Sequence, residues 1–215
     1  MFDLDGTLID TEWVFVEAAR RLLAGRGLAY DAAFMAQIMG TPARNSLPRF
    51  IAHYGLADTF EALSGEYKRF FQEVLQADVA PLMPGVVDLL DRLDARGIPK
   101  AIGTSSGRAY LEHMFAPHGL LDRFEFVLTA DDVTHGKPDP EVYATAASRF
   151  GVPASDLLVI EDSIHGVRAA KAAGTRVVMV PHAHTPEADR GEADAVVSGL
   201  LAPELWALIE GSASR

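Results

Sequence analysis

The spacing of apolar residues along this chain changes period twice. At the start, Met1-Phe2-Asp3-Leu4-Asp5-Gly6-Thr7-Leu8 reads as a strand that stops at Asp3 and a turn at Gly6. Between Thr11 and Gly27 the apolar positions Val14, Ala18 and Leu22 follow helical spacing, with Glu17, Arg20 and Arg21 among them. Helical patterns continue over Asp31 to Met39, Arg44 to Tyr54 and Asp58 to Gln76, broken at Gly40-Thr41-Pro42 and Gly55. No convincing strand pattern lies between Thr11 and Val79.

From Pro84 onward the pattern alternates between helix and strand. A helix over Gly85 to Arg96 ends at Gly97, and the strand Lys100-Ala101-Ile102-Gly103 follows. Next come a helix near Arg108 to His118, a strand over Phe124 to Leu128 and a helix over Pro140 to Phe150. The strand Leu157 to Ile160, a helix over Gly166 to Ala173 and the strand Arg176 to Val180 complete the run. Short, continuously apolar strands separated by helices indicate a parallel sheet covered on both faces. The expected fold class is α/β: a doubly wound parallel sheet, residues 1–10 and 81–215, with a helical domain, residues 11–80, inserted after the first strand. Beyond Pro181 the pattern weakens to a short edge strand at Ala195-Val196-Val197 and a closing helix over Pro203 to Ile209.

Composition narrows the function classes. A net charge of -11 over 215 residues argues against a nucleic-acid partner, which needs clustered Lys and Arg, but leaves room for a small phosphorylated ligand in one local cationic pocket. There is no cysteine, so disulfides and thiolate metal sites are excluded. No segment approaches the length of a membrane span, and the N-terminus carries no basic region followed by an apolar one. The expectation is a cytoplasmic protein without membrane or nucleic-acid partners, compatible with a monomer.

In a parallel α/β sheet, ligand sites collect at the C-terminal ends of the strands. Those ends carry Asp3 and Asp5, then Thr104-Ser105-Ser106, then Glu161-Asp162-Ser163, with Lys137 in a Gly-Lys-Pro turn after another strand. Taken singly these are also the marks of Asx turns, helix N-caps and surface turns. Together they supply carboxylates, hydroxyls with free helix N-terminal amides, and a lysine. Those are the parts of a Mg2+-assisted phosphoryl-transfer site.

The same residues resemble the signatures of the haloacid dehalogenase (HAD) superfamily, in the branch with a helical cap after the first motif. Asp3-Leu4-Asp5-Gly6-Thr7 is similar to its first motif and Thr104 to its second. Lys137-Pro138 is similar to the third, and Glu161-Asp162-Ser163 with Gly166-Val167-Arg168-Ala169-Ala170 and Ala173-Gly174 to the fourth. The likeness runs in order to about Val180. It implies a Rossmann-like core in which Asp3 is the nucleophile that forms an aspartyl-phosphate, and Asp5 the general acid and then base. Thr104 and the amide of Ser105 would bind phosphoryl oxygens, with Lys137 neutralising charge on the phosphoryl group and on Asp3. Mg2+ would be held by Asp3, the backbone carbonyl of Asp5 and Asp162, with Glu161 acting directly or through water.

Within the family, Asp5 argues against dehalogenases and phosphonate hydrolases, which lack an acid there. Thr7 favours a phosphomonoesterase over a β-phosphoglucomutase-like mutase, where Val or Ile usually follows the glycine. A receiver-type signalling domain shares the acid cluster, hydroxyl and lysine, but is smaller and lacks the helical insertion. Substrate choice is expected in the helical block, with Glu12, Trp13, the Gly40-to-Arg44 loop, Lys68 and Arg69 as candidates. Arg44 is preferred because arginine grips anionic groups bidentately, although an ungapped comparison places Ala43, not Arg44, at the arginine of the mutases. His182 and His184 read as a polar surface loop rather than a metal pair, and His165 as packing or solvent-facing. Only Met1 and Phe2 precede Asp3, fewer than the roughly five residues of a typical strand. The expectation is either a natural start further upstream or an unusually short first strand.

Overall fold

The computed structural model describes residues 1–35, 37–38, 43–77, 79–181 and 191–213, with backbone alone at 43–44 and 212–213. His182, His184 and Gly40 to Pro42 lie outside the described residues, as does the side chain of Arg44. The chain separates into two compact units, one formed by Met1–Asp10 with Pro81–Arg215 and the other by Thr11–Ala80.

The first unit is built on parallel strands. β1 (Ile102–Gly103) pairs with β2 (Val127–Leu128), and β3 (Leu158–Glu161) pairs with β4 (Arg176–Met179), which pairs with β5 (Ala195–Val196). Phe2 makes parallel bridges to Ile102 and to Ile160, so the opening segment lies between the two sets and the order is β2-β1-Phe2-β3-β4-β5. Its ladder is complete on both sides: Phe2 N–H donates to Ala101 O and Asp3 N–H to Ile160 O, at 2.9 and 3.0 Å. Gly103 N–H donates to Phe2 O, and Ile160 N–H to Met1 O. The expected first strand is thus a bridge centred on Phe2 rather than a regular strand.

Around the sheet run α5 (Val86–Ala95), α6 (Arg108–Met114), α7 (Glu141–Phe150), α8 (Ile164–Ala172) and α9 (Pro203–Ala213). Strand side chains alternate between faces. Ala101, Val159, Val177 and Met179 join the buried cluster of α7 and α8, with Val142, Tyr143, Ala146, Val167 and Ala170. Ile102, Ile160 and Val178, one register out, are buried as well but outside that cluster. Both faces are therefore covered, and the architecture is α/β with a Rossmann-like parallel sheet. The expected helix over Arg108 to His118 stops at Met114 and continues as a short 3-10 turn over Ala116–His118. Pro117 explains the stop, since it has no N–H to continue the ladder. Among the described residues no helix is long and apolar enough to cross a membrane.

The second unit is helical throughout its described residues: α1 (Glu12–Ala24), α2 (Ala32–Met35), α3 (Ala43–Tyr54) and α4 (Phe60–Ala77). Ala19, Leu22, Leu23, Met35, Ile38, Phe50 and Leu63 form its core. Arg26, just past the end of α1, forms ion pairs to Asp58, just before α4, and to Glu66 within it, at 2.7 and 2.5 Å. The helix expected over Asp31 to Met39 is shorter, giving way to a turn at 37–38.

Candidate active site

The site grows from the C-terminal end of the sheet. Asp3 leaves the central segment just after its last ladder bond, and its side chain is buried. Gly6, at φ 75°, then folds the chain back, so that Thr7, Leu8 and Ile9 all direct their N–H groups at Leu4 O. A left-handed residue is needed there, and glycine supplies it without strain. This turn holds Asp5 beside the end of β1.

Lys137, in the loop between β2 and α7, sends a buried side chain into the centre. Its ammonium donates to Asp3 Oδ1 at 2.5 Å, to Glu161 Oε1 at 2.6 Å and to Gly103 O at 3.0 Å. Glu161, the last residue of β3, is fully buried. Oε1 also accepts from Tyr143 at 2.7 Å, while Oε2 accepts from the N–H groups of Asp162 and Ser163 and from Ser163 Oγ. Ser163 is also the N-cap of α8, accepting from Gly166 N–H at 3.1 Å. Protein donors thus occupy both oxygens of Glu161, which suits it to anchoring the lysine. Asp3, Glu161 and Asp162 each present an oxygen within 4.8 Å of the others.

The charges explain the chemistry. Burial pushes the Asp3 carboxyl well above the usual range; Lys137 pulls it down, whereas Glu161, Asp162 and Asp5 push it up. For Lys137, burial alone would favour the neutral form, but the negative charges of Asp3 and Glu161 hold its pKa well above normal. Burial would raise Glu161 too, yet Lys137 and the surrounding donors bring it below normal. Asp162 is pushed up to about 8, by burial first and by Glu161 second. One ammonium therefore faces more buried negative charge than it can balance. Such an oxygen-rich cluster fits a hard divalent cation.

Asp5 sits in a cradle of hydroxyls. Ser106 Oγ donates to Oδ2 at 2.7 Å and Thr104 Oγ1 donates to the same oxygen at 3.3 Å. Tyr110, in the first turn of α6, donates to Oδ1 at 3.0 Å. Thr104 Oγ1 in turn accepts from Ser106 N–H at 2.9 Å. Burial, and then the charge of Asp5, raise the Tyr110 pKa, so its phenol stays protonated.

The structure thus brings Asp3, Asp5, Thr104, Lys137, Glu161 and Asp162 to one edge of the sheet. Ser105 is exposed, and it is its neighbour Ser106 that touches Asp5. Lys68, Arg69 and His165 are exposed on their helices, and Arg69 pairs with Glu73. A second acidic group, His135 with Asp139 and Glu141, is largely exposed, and Glu141 there accepts the N–H groups of Thr134 and His135. Sequence reading missed Tyr110 and Tyr143. Tyr110 was findable by helical phase, because the first turn of a helix that starts at Arg108 faces back toward Thr104. Tyr143 carried no such signal.

This geometry coincides with a family match. A model of haloacid dehalogenase-like hydrolases matches residues 1–180. The chain belongs to that family, in its phosphatase branch. It is 36% identical over 216 residues to a probable pseudouridine-5'-phosphatase of Drosophila melanogaster, covering 97% of this chain and 93% of that one. It is 33% identical over 202 residues to a bifunctional riboflavin kinase/FMN phosphatase of Arabidopsis thaliana, covering 94% of this chain but spanning only 53% of that protein. Among solved structures, a HAD family hydrolase of Deinococcus radiodurans R1, with bound phosphate and sodium, superposes with a TM-score of 0.78 at 27% identity, over 99% of this chain and 94% of that one.

Proposed function

We propose that this chain is a phosphomonoesterase for a small phosphorylated metabolite, such as a sugar phosphate, working through an aspartyl-phosphate on Asp3. The observation that carries the reading is Lys137, whose ammonium bridges the buried Asp3 and Glu161 while the hydroxyl-cradled Asp5 stands beside them. A carboxylate cannot readily attack a phosphate dianion until positive charge cancels the repulsion, and Lys137 lies on the attacking group itself. An oxygen of Asp3 bonds to phosphorus as the bond to the ester oxygen breaks, and Asp5 protonates the departing oxygen. Asp5 then takes a proton from water as its oxygen attacks the same phosphorus, which restores Asp3 and frees inorganic phosphate. Thr104 supplies a hydroxyl, and the N–H groups of the following loop supply amides, for the phosphoryl oxygens.

The carboxylates of Asp3 and Asp162 and the backbone carbonyl of Asp5 are the groups that would hold Mg2+. The raised pKa of Asp162 supports this fit, because burial and the charge of Glu161 push that carboxyl up by more than Lys137 pulls it down. Bound there, Mg2+ would supply further positive charge for the transferring phosphoryl group. Glu161, its oxygens filled, would act on the cation through water or solely by fixing Lys137.

Turnover of p-nitrophenyl phosphate with and without Mg2+ tests the reading. Multiple turnovers that need Mg2+ and vanish in Asp3→Asn are expected. A single phosphorylation without release would point to a receiver-type domain. Conversion of glucose 1-phosphate to glucose 6-phosphate, rather than to free glucose, would point to a mutase. A panel of small phosphomonoesters then identifies the substrate.

A further inference from the structure

The two oxygens of Asp5 are held unequally. Oδ2 faces the loop after β1 and accepts from both Ser106 Oγ and Thr104 Oγ1. Oδ1 accepts from the Tyr110 hydroxyl, which comes from a different element, α6. Among the described residues Asp5 makes no ion pair, so these hydroxyls alone set the direction of its carboxyl group.

A hydroxyl has a single proton to donate. When Thr104 gives its proton to a phosphoryl oxygen, it ceases to donate to Asp5. Oδ2, once it carries the acid proton, is a poorer acceptor, so the bond from Ser106 weakens as well. At that moment the Oδ2 side of the cradle has loosened, and the firmest remaining contact is the one on Oδ1. A carboxyl oxygen that accepts from a phenol is the carbonyl-type oxygen, which leaves the acid proton on the other.

From this the geometry points to Tyr110 as the positioning residue of the general acid: it fixes Oδ1 of Asp5 so that Oδ2 is the oxygen that protonates the leaving group. The assignment rests on the phosphomonoesterase reading above. Tyr110 touches neither phosphorus nor the ester oxygen in this scheme and acts only through Asp5. Its ring is half-buried at the start of α6, so removing the hydroxyl alone leaves the packing of the ring in place.

The test uses the leaving group. p-Nitrophenolate departs without a proton, whereas an alkoxide needs one. Tyr110→Phe is expected to lower kcat on an alkyl phosphate by on the order of tenfold or more, the scale of one lost hydrogen bond to an ionisable group. KM should stay unchanged, kcat on p-nitrophenyl phosphate should be nearly preserved, and the melting temperature should stay close to that of the parent. Thr104→Ala serves as a contrast, because loss of a phosphoryl donor should slow both esters alike. Equal loss on both esters in Tyr110→Phe, or no loss on either, overturns the role of Tyr110. Asp5→Asn separates the positioning role from the general-acid role. If it abolishes turnover of the alkyl ester, whatever it does to the aryl ester through the water-activating step, while Tyr110→Phe spares the alkyl ester, only the positioning role falls. If Asp5→Asn keeps alkyl turnover, the general-acid reading fails, and the role of Tyr110 falls with it.

Discussion

Gly166, in the first turn of α8, stands where a Cβ would overlap the carboxylate of Glu161. The close approach follows from Ser163, which caps the helix through Gly166 N–H and donates its own proton to Glu161. Helix start and buried acid are thus parts of one packed unit.

Gly166→Ala is therefore expected to displace Glu161 and, with it, the ammonium of Lys137. Overpacking of this kind costs about 1–3 kcal/mol of stability. Activity should suffer more, because a displacement of about 1 Å at a reacting centre can cost roughly a hundredfold in rate. Steady-state kinetics beside a thermal melt would show it, and a variant with unchanged kcat would show that Glu161 is not needed where it stands.

Tyr143 donates to Glu161 Oε1 at 2.7 Å, and its ring lies under the Lys137 ammonium at 5.0 Å. Tyr143→Phe keeps the ring and removes the donor. The loss of a hydrogen bond to a buried charged group predicts a destabilisation of about 1.5–3 kcal/mol, read by urea unfolding. Stability equal to that of the parent would mean that Lys137 and Ser163 satisfy the acid unaided.

Much of this was legible in the chain itself, for a physical reason. Strands buried on both faces must be short apolar runs, so Leu157 to Ile160 and Arg176 to Val180 mark the sheet, and the polar residues that follow mark the edge that holds the candidate site. Tyr143 was not legible, because it lies in the stripe Val142, Tyr143, Ala146 and Ala147, which reads as ordinary core. Nor does spacing reveal that Glu161 is saturated by backbone N–H groups, since that depends on how α8 starts. Periodicity overruns two helix ends, beyond Met35 and beyond Met114, where local turn chemistry overrides it.

Acid should loosen the loop after β2. Burial alone would raise the pKa of Asp132, but the N–H and hydroxyl of Thr129 and the guanidinium of Arg108 more than offset it and hold the pKa below normal. Thr129 donates to Asp132 through both groups at 2.8 Å, and Arg108 pairs with it at 2.9 Å. A carboxylate whose folded pKa lies below its unfolded value of about 3.9 adds stability that is complete above that value. The contribution fades as pH falls through the lower folded pKa. Asp132→Asn should accordingly flatten the acid limb of a stability–pH curve below about pH 4 and lower the plateau above it. An identical acid limb in the variant would remove Asp132 from the account.

Among the described residues, Thr7 Oγ1 is a buried side-chain oxygen with no hydrogen-bond partner. An unpaired buried hydroxyl costs about 1–3 kcal/mol, judged from mutational series. Valine matches threonine in shape and removes that cost. If the hydroxyl has no partner at any stage of turnover, Thr7→Val should raise the melting temperature by about 2–4 °C per kcal/mol gained and leave kcat unchanged. A different result carries its own meaning, because Thr7 follows directly on the Asp3-to-Gly6 turn that positions Asp3 and Asp5. A more stable variant with reduced kcat would show that the hydroxyl, unsatisfied at rest, finds its partner only in the complex with substrate. The melt and the rate, measured on the same preparation, separate the two outcomes.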